Sequence, residues 1–271
     1  MTLSLKTSLV LGTAAAIAAV AALPSAVFAG GYNGGSGSCP VSYGLLKRAL
    51  DDAVRVEDTG LDLQMWGTVV DRDGVVCAVA FTGSDRGAQW PGSRVISAQK
   101  ANTANAFSLD GLALSTANLF SAVQPGGSLF GLQESNPVDA SVAYGGNAVF
   151  YGTPRDPMVG KKIGGVNVFG GGLALYNAHG RIIGAVGVSG DTSCADHRIG
   201  WRTRNNLRLD FVPGGVSGDG ARPDNMIFDI EPNPNGGTGI SAGGFGHPHC
   251  TADNDGDPAT LPATSTAIAL H

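Results

Sequence analysis

Charge is scarce in this 271-residue chain. Asp, Glu, Lys and Arg make up 14% of it, and the formal balance is −5 at neutral pH. Without a cationic excess there is no electrostatic reason to bind nucleic acid or an anionic membrane, so neither is expected as a partner. Long apolar runs are missing beyond the first thirty residues. No later stretch approaches the roughly 20 apolar residues that a spanning helix needs, so no transmembrane segment is expected after leader removal. Complete catalytic motifs are missing too. There is no G-x-S-x-G, and Gly170-Gly171-Gly172 precedes a strand-like run without the Lys and Ser/Thr of a phosphate loop. Ser189, Asp191 and His197 are near one another in sequence, but triad members meet only through the fold. No catalytic residue is assigned, and binding is expected ahead of catalysis.

Glycine is what the chain has in excess, with 42 residues. A helical bundle would not tolerate that many, whereas tight turns and close backbone approach use them. Residues 1–29 carry Lys6, an Ala-rich apolar run, Pro24 and Val27-Phe28-Ala29. This pattern predicts a cleaved signal peptide and a secreted or periplasmic protein. Losing Lys6 and no acid moves the charge from −5 to −6. The four cysteines, Cys39, Cys77, Cys194 and Cys250, all follow the leader. An even count in an oxidising compartment points to two disulfides, and four cysteines allow three pairings. Cys39–Cys77 and Cys194–Cys250 are favoured, because they would tie the opening helix to a neighbouring strand and the tail to the core.

Residues 30–38 form a flexible Gly/Ser/Asn linker. From Pro40, Leu46, Ala49, Leu50, Ala53 and Val54 recur at helical spacing until Thr59-Gly60. Two β-rich runs, 65–70 and 75–82, flank Asp71-Arg72-Asp73-Gly74, a hairpin signal. Ser93 caps a predicted helix, and a shorter one covers 112–123. Residues 125–162 read as a long irregular insertion. Three further strands are expected at 166–169, 173–176 and 182–188, then a helix whose capping box is Ser193 with Asp196. That helix is expected to expose Arg198, Arg202, Arg204 and Arg208. Past Pro213 the chain is rich in Gly, Pro, Asn and Asp, which reads as an irregular extension. The fold class is α+β, with an antiparallel sheet of about five strands flanked by helices.

Two metal patterns arise. Cys194-x-x-His197 and His247-Pro-His249-Cys250 together offer two thiolates and three imidazoles, a set that suits zinc. Oxidised cysteines in an exported protein would cancel it. Asp253-Asn254-Asp255-Gly256-Asp257 resembles the start of a calcium loop, but its glycine falls one place early and no closing Glu follows. It reads as a solvated acidic turn. Trp66, Trp90, Trp201, Arg94 and Lys100 either pack and solvate in the ordinary way or clasp a flat apolar ligand bearing carboxylates.

Two blocks carry a resemblance. The first is Val69-Val70-Asp71-x-Asp73-Gly74 with Ser97-Ala98-Gln99-Lys100-Ala101-Asn102-Thr103-Ala104. The second is Gly164-Gly165-Val166-Asn167-Val168, then Gly184-Ala185-Val186-Gly187-Val188-Ser189-Gly190, then Asp196. In this order they resemble the HbpS/GlcG family of haem-binding proteins, also called PduO C-terminal-like. The resemblance implies a five-stranded antiparallel sheet, homo-oligomers, and haem or a related tetrapyrrole as a small-molecule ligand for sequestration or sensing. It carries Lys100, Thr103 and Asp196 over as ligand-binding candidates; Arg94, from the aromatic and basic set above, is a further one. The opening helix has no histidine, although some relatives ligate iron with one, so His197 is the candidate axial metal ligand. The rival readings are a haem-degrading or other enzyme, and an envelope interaction module without ligand. The expected division is 1–29 signal peptide, 30–38 linker, 39–212 HbpS/GlcG-like domain with its 125–162 insertion, and 213–271 extension.

Overall fold

The computed structural model describes residues 39–268. The signal-peptide and linker expectations, 1–29 and 30–38, lie outside the described residues. Helix α1 (Tyr43–Arg55) opens on Ser42, whose hydroxyl accepts from the Leu45 amide. Its stripe of Leu46, Ala49, Leu50 and Ala53 is buried. Strands β1 (Trp66–Asp71) and β2 (Val76–Phe81) form the expected hairpin. Asp71 Oδ1 accepts from the amides of Asp73 and Val75, both at 2.9 Å, and Gly74 supplies the turn's positive φ of 78°. Helix α2 (Ser93–Phe107) follows, with Gly92 and not Ser93 as its N-cap. One-turn helices α3 (Phe120–Val123), α4 (Leu132–Ser135) and α5 (Ala140–Ala143) punctuate the next stretch. Strands β3 (Gly172–Tyr176) and β4 (Ile182–Ser189) and helix α6 (Ser193–Asn206) complete the core. A small ribbon of β5 (Ile230–Glu231) and β6 (Ile240–Ser241) lies in the tail.

The main sheet is antiparallel and has four strands, in the order β2-β1-β4-β3. Both faces are covered, and successive residues alternate between them. Val69, Val186 and Val188 pack with Leu46 and Leu50 of α1 and Ile199 and Trp201 of α6. Trp66, Val70 and Ala185 pack with Val95, Ala98, Ala101 and Ala104 of α2. The backbone of α2 sits directly on β4 at Gly187, where a Cβ would overlap the Ser97 carbonyl. Glycine at that position is therefore a packing requirement.

Residues 166–169 do not make the fifth strand, although their composition suits one. Gly164, Gly165 and Gly171 around them all have positive φ, at 64°, 78° and 110°. Side chains satisfy the segment's backbone instead of a ladder. Asn102 Nδ2 donates to the Gly165 carbonyl at 2.8 Å, and Thr103 Oγ1 accepts from the Asn167 amide at 3.0 Å. Val166 and Val168 join a separate cluster with Leu119 and Val123.

Helix α6 also differs from its expected form. Thr192, not Ser193, is the N-cap, and it accepts from the Ala195 amide at 3.2 Å. Arg198 and Arg204 are buried, not exposed, because Glu57 and the tail cover them. Arg198 Nε reaches Glu57 Oε1 at 2.7 Å, and Arg204 meets Asp224 through two bonds of 2.6 and 2.8 Å. Trp201 Nε1 donates to the Pro262 carbonyl at 2.9 Å, and Leu261 enters the core. Both favoured disulfides are present, Cys39–Cys77 and Cys194–Cys250. Among the described residues no helix is long and apolar enough to cross a membrane.

Candidate functional site

Three neighbourhoods contain the chemistry-bearing residues. The first is an ionic frame inside the fold. Helical spacing turns Lys100 of α2 inward, and its side chain is completely buried. Its Nζ donates to Asp196 Oδ2 at 2.6 Å and to the Val188 carbonyl at 3.0 Å. Asp196 Oδ1 accepts from the Gly190 and Asp191 amides, both at 2.9 Å. One ion pair thus holds α2, the end of β4 and the first turn of α6 together. Burial pushes the Lys100 ammonium down, and the Asp196 carboxylate opposes that shift. Burial pushes Asp196 up to about 6, against the pull of Lys100 and the Asp191 amide. Asp191 itself accepts from the Leu61 and Leu63 amides. Thr103 donates to the Gln99 carbonyl while holding the Asn167 amide.

The second neighbourhood is the contact of α6 with the tail. His197 is buried beside Trp201, and its Nε2 lies 3.2 Å from Asn225 Oδ1. Its Nδ1 has no partner among the described residues. Burial drives its pKa down to about 3, so the ring is neutral. The space beside it is about 10 Å³, room for at most one water. His197 is therefore not brought to Lys100 and Asp196 in any shared open pocket. Nearby, His247 Nε2 meets Ser193 Oγ at 2.8 Å and its Nδ1 meets the Pro248 carbonyl at 2.7 Å. Burial lowers His247 to about 4. Of the five sequence-read metal candidates, the fold gathers Cys194, His247 and Cys250, whose ligand atoms lie within 4.8 Å of one another. The two sulfurs are bonded to each other. Asp255, read as part of a solvated turn, is buried and accepts from the Cys250 and Thr251 amides.

The third neighbourhood is a cleft of about 530 Å³ between the 85–91 loop, the first turn of α2 and the insertion. Trp66, Pro91, Val95, Tyr144 and Tyr151 form its apolar walls, and Asp85, Arg86 and Arg94 supply charge. Of the sequence-read ligand candidates, Trp66 and Arg94 reach it, whereas Lys100, Thr103 and Asp196 do not. The Arg94 guanidinium is bound by the buried Asp156 carboxylate and the Ala143 carbonyl, and it lies 3.6 Å above the Tyr151 ring. Arg86 is exposed and has no carboxylate partner among the described residues. Trp66 is 1% exposed, and its indole N–H has no partner among the described residues. Sequence reasoning missed Tyr144, Tyr151 and Asp156. All three lie in the insertion, where no periodicity or motif marks them.

The family model described as haem degrading protein HbpS-like matches residues 48–202. The chain belongs to the HbpS-like family. The matched span runs from within α1 to within α6 and includes residues 125–162, while residues 213–268 of the tail lie outside it. Among curated proteins nothing matches. Two solved structures are similar at 23% identity and a TM-score of 0.42. The crystal structure of a PduOC:heme complex covers 60% of this chain and 89% of its own. The Klebsiella pneumoniae protein ORFY, of the DUF336 family model, covers 62% and 90%.

Proposed function

We propose that this HbpS-like chain binds haem or a related tetrapyrrole in the cleft between α2 and the insertion. The cleft carries this reading. Its volume of about 530 Å³ falls within the roughly 300–1,000 Å³ of small-molecule sites. Aromatic walls suit a flat ring, and Arg86 at the rim suits a carboxylate. These residues fit the ring and its carboxylates. Of the side chains that serve as haem axial ligands, the lining offers only tyrosine. Tyr151 already donates to the Tyr144 and Gly145 carbonyls at 3.2 and 3.3 Å, which leaves Tyr144. In this reading Arg94 shapes the floor, Lys100, Thr103 and Asp196 belong to the polar frame that joins α2 to the core, and His197 belongs to the α6–tail contact.

Haemin titration followed at the Soret band tests the proposal. A saturable shift is expected for the wild type, weakened by Arg86→Glu and Tyr144→Ala and unchanged in His197→Ala. No spectral change would overturn it, and loss confined to His197→Ala would move the site to the α6–tail contact. The family's description favours a second reading, degradation. Decay of the bound Soret band with a reductant and oxygen would support it, and a stable band would refute it.

Export, self-association and the domain division belong to the same proposal. Two disulfides accord with an oxidising compartment. Exposed Phe130, Tyr144 and Val149 put apolar surface on the insertion, which supports contact between copies. Light scattering on the purified protein checks this, and a monomer at all concentrations would remove it. We keep 39–212 as the binding domain, with 125–162 inserted and 213–271 as its extension.

A further inference from the structure

We propose that the Cys194–Cys250 disulfide closes a latent zinc site, which opens when a dithiol reduces it and is formed by the two thiolates and the imidazole of His247. Cys194, His247 and Cys250 are the one group of His, Cys, Asp or Glu among the described residues whose ligand atoms converge, all within 4.8 Å. A tetrahedral site with Zn–S of about 2.3 Å needs its two sulfurs roughly 3.8 Å apart. Breaking the S–S bond gives the sulfurs that freedom without moving the backbone far. Two thiolates, one imidazole and a water complete four-coordinate zinc.

The surroundings already suit thiolates. Cys194 occupies the first turn of α6, a helix of 14 residues, where the N-terminal end of the dipole favours a negative charge. The Cys194 amide points at Cys250 Sγ, 3.0 Å away. That N–H would hold the freed Cys250 thiolate. Cys250 is partly exposed while Cys194 is buried, so an attacking thiolate reaches Cys250 and expels Cys194 as the leaving group. His247 is oriented by a carbonyl, the arrangement that metal-bound histidines use. With Nδ1–H donating to the Pro248 carbonyl, Nε2 is the lone-pair nitrogen, and it currently accepts from Ser193 Oγ. Rotation of one hydroxyl frees it.

The steps balance. The external dithiol gives up two electrons and two protons, becomes a disulfide, and leaves Cys194 and Cys250 as thiols. Zinc then binds both sulfurs and releases their two protons. Cys39–Cys77 provides the internal control, because no histidine among the described residues converges on it.

The test uses the full chain, reduced with a dithiol, desalted without oxygen and titrated with Co²⁺ as the zinc analogue. One equivalent should bind with the intense bands of tetrahedral thiolate coordination, and the oxidised protein should show none. His247→Ala should weaken binding at least tenfold, whereas Cys39→Ala/Cys77→Ala should leave it unchanged. A second readout needs no variant: bound Zn²⁺ should slow alkylation of Cys194 and Cys250 but not of Cys39 and Cys77. The proposal falls if reduced wild type shows no thiolate–Co²⁺ bands, if oxidised protein binds equally, or if zinc protects all four thiols alike.

Discussion

Replacing Lys100 by Met separates a structural from a ligand-contacting role for the family's helix motif. The substitution keeps the stem and removes the charge. Asp196 then remains buried with two backbone amides but no cation. Breaking a buried pair from one side costs about 3–5 kcal/mol, because the stranded charge keeps its desolvation penalty. The Val188 carbonyl also loses its Nζ donor, which places the loss at the upper end of that range. For a domain of this size the melting temperature should fall by roughly 6–20 °C. The penalty should depend on pH. Burial already raises Asp196 to about 6 with Lys100 present, and removing the cation can only raise it further. The variant's carboxyl therefore takes up a proton on acidification and sheds its charge, so the gap to wild type should narrow from pH 8 to pH 5. Urea denaturation of both proteins across that range measures it. A loss under about 1 kcal/mol, or a gap that widens in acid, would refute the ionic frame. Haem affinity of the folded fraction should be unchanged, whereas a direct ligand contact would lose it.

Three further outcomes are expected. His197 is neutral when folded, with a pKa near 3 against 6.5 unfolded. The unfolded chain therefore binds the extra proton between those values, and stability is full above pH 6.5 and falls as pH drops towards 3. At pH 5 this amounts to about 2 kcal/mol, after the effects of the facing Asp224, Arg204 and His247, and His197→Gln should flatten that part of the urea-midpoint profile. Gly187→Ala forces α2 off β4 at Ser97 and Ala101 and should cost about 1–3 kcal/mol or more in chemical denaturation. Asp224→Ala strands the buried Arg204 guanidinium and should lose about 3–5 kcal/mol, with faster proteolysis of the tail as the accompanying sign.

The fold was legible where local patterns and tertiary demands agree. The Asp71–Gly74 turn, the stripe of α1 and the runs of β3 and β4 need only short-range rules, and each stands where those rules put it. Residues 166–169 show the opposite case. Their β-forming composition is real, but Asn102 and Thr103 reach across from α2 to take their backbone groups. No local signal reports a partner sixty residues away. The arginines of α6 failed for the same reason. A charged helix with three arginines reads as solvated until Glu57, Asp224 and the Asp257 carbonyl arrive from distant segments to bury two of them.

The site was less legible than the fold because its residues have two fates that one sequence cannot separate. Lys100, Thr103 and Asp196 stand out as polar residues at helical spacing in family motifs, and that is equally the mark of a buried polar network. Geometry separates the two. Each has its hydrogen-bonding capacity engaged inside the protein, which leaves little for a ligand. The cleft shows the reverse. Arg86 spends only one bond inside the protein, to the Ala148 carbonyl, and no carboxylate among the described residues neutralises it; Tyr144 is largely exposed, and both lie in loops without pattern. Arg94 joins the two sets. Its charge is taken by Asp156, a residue of the insertion, while its flat face covers Tyr151. That pair fixes the insertion against α2 and so creates the cleft. Asp156→Asn should therefore loosen the insertion and weaken haemin binding without touching the ligand, and rescue by Asp156→Glu would show that positioning, not contact, is what Asp156 supplies.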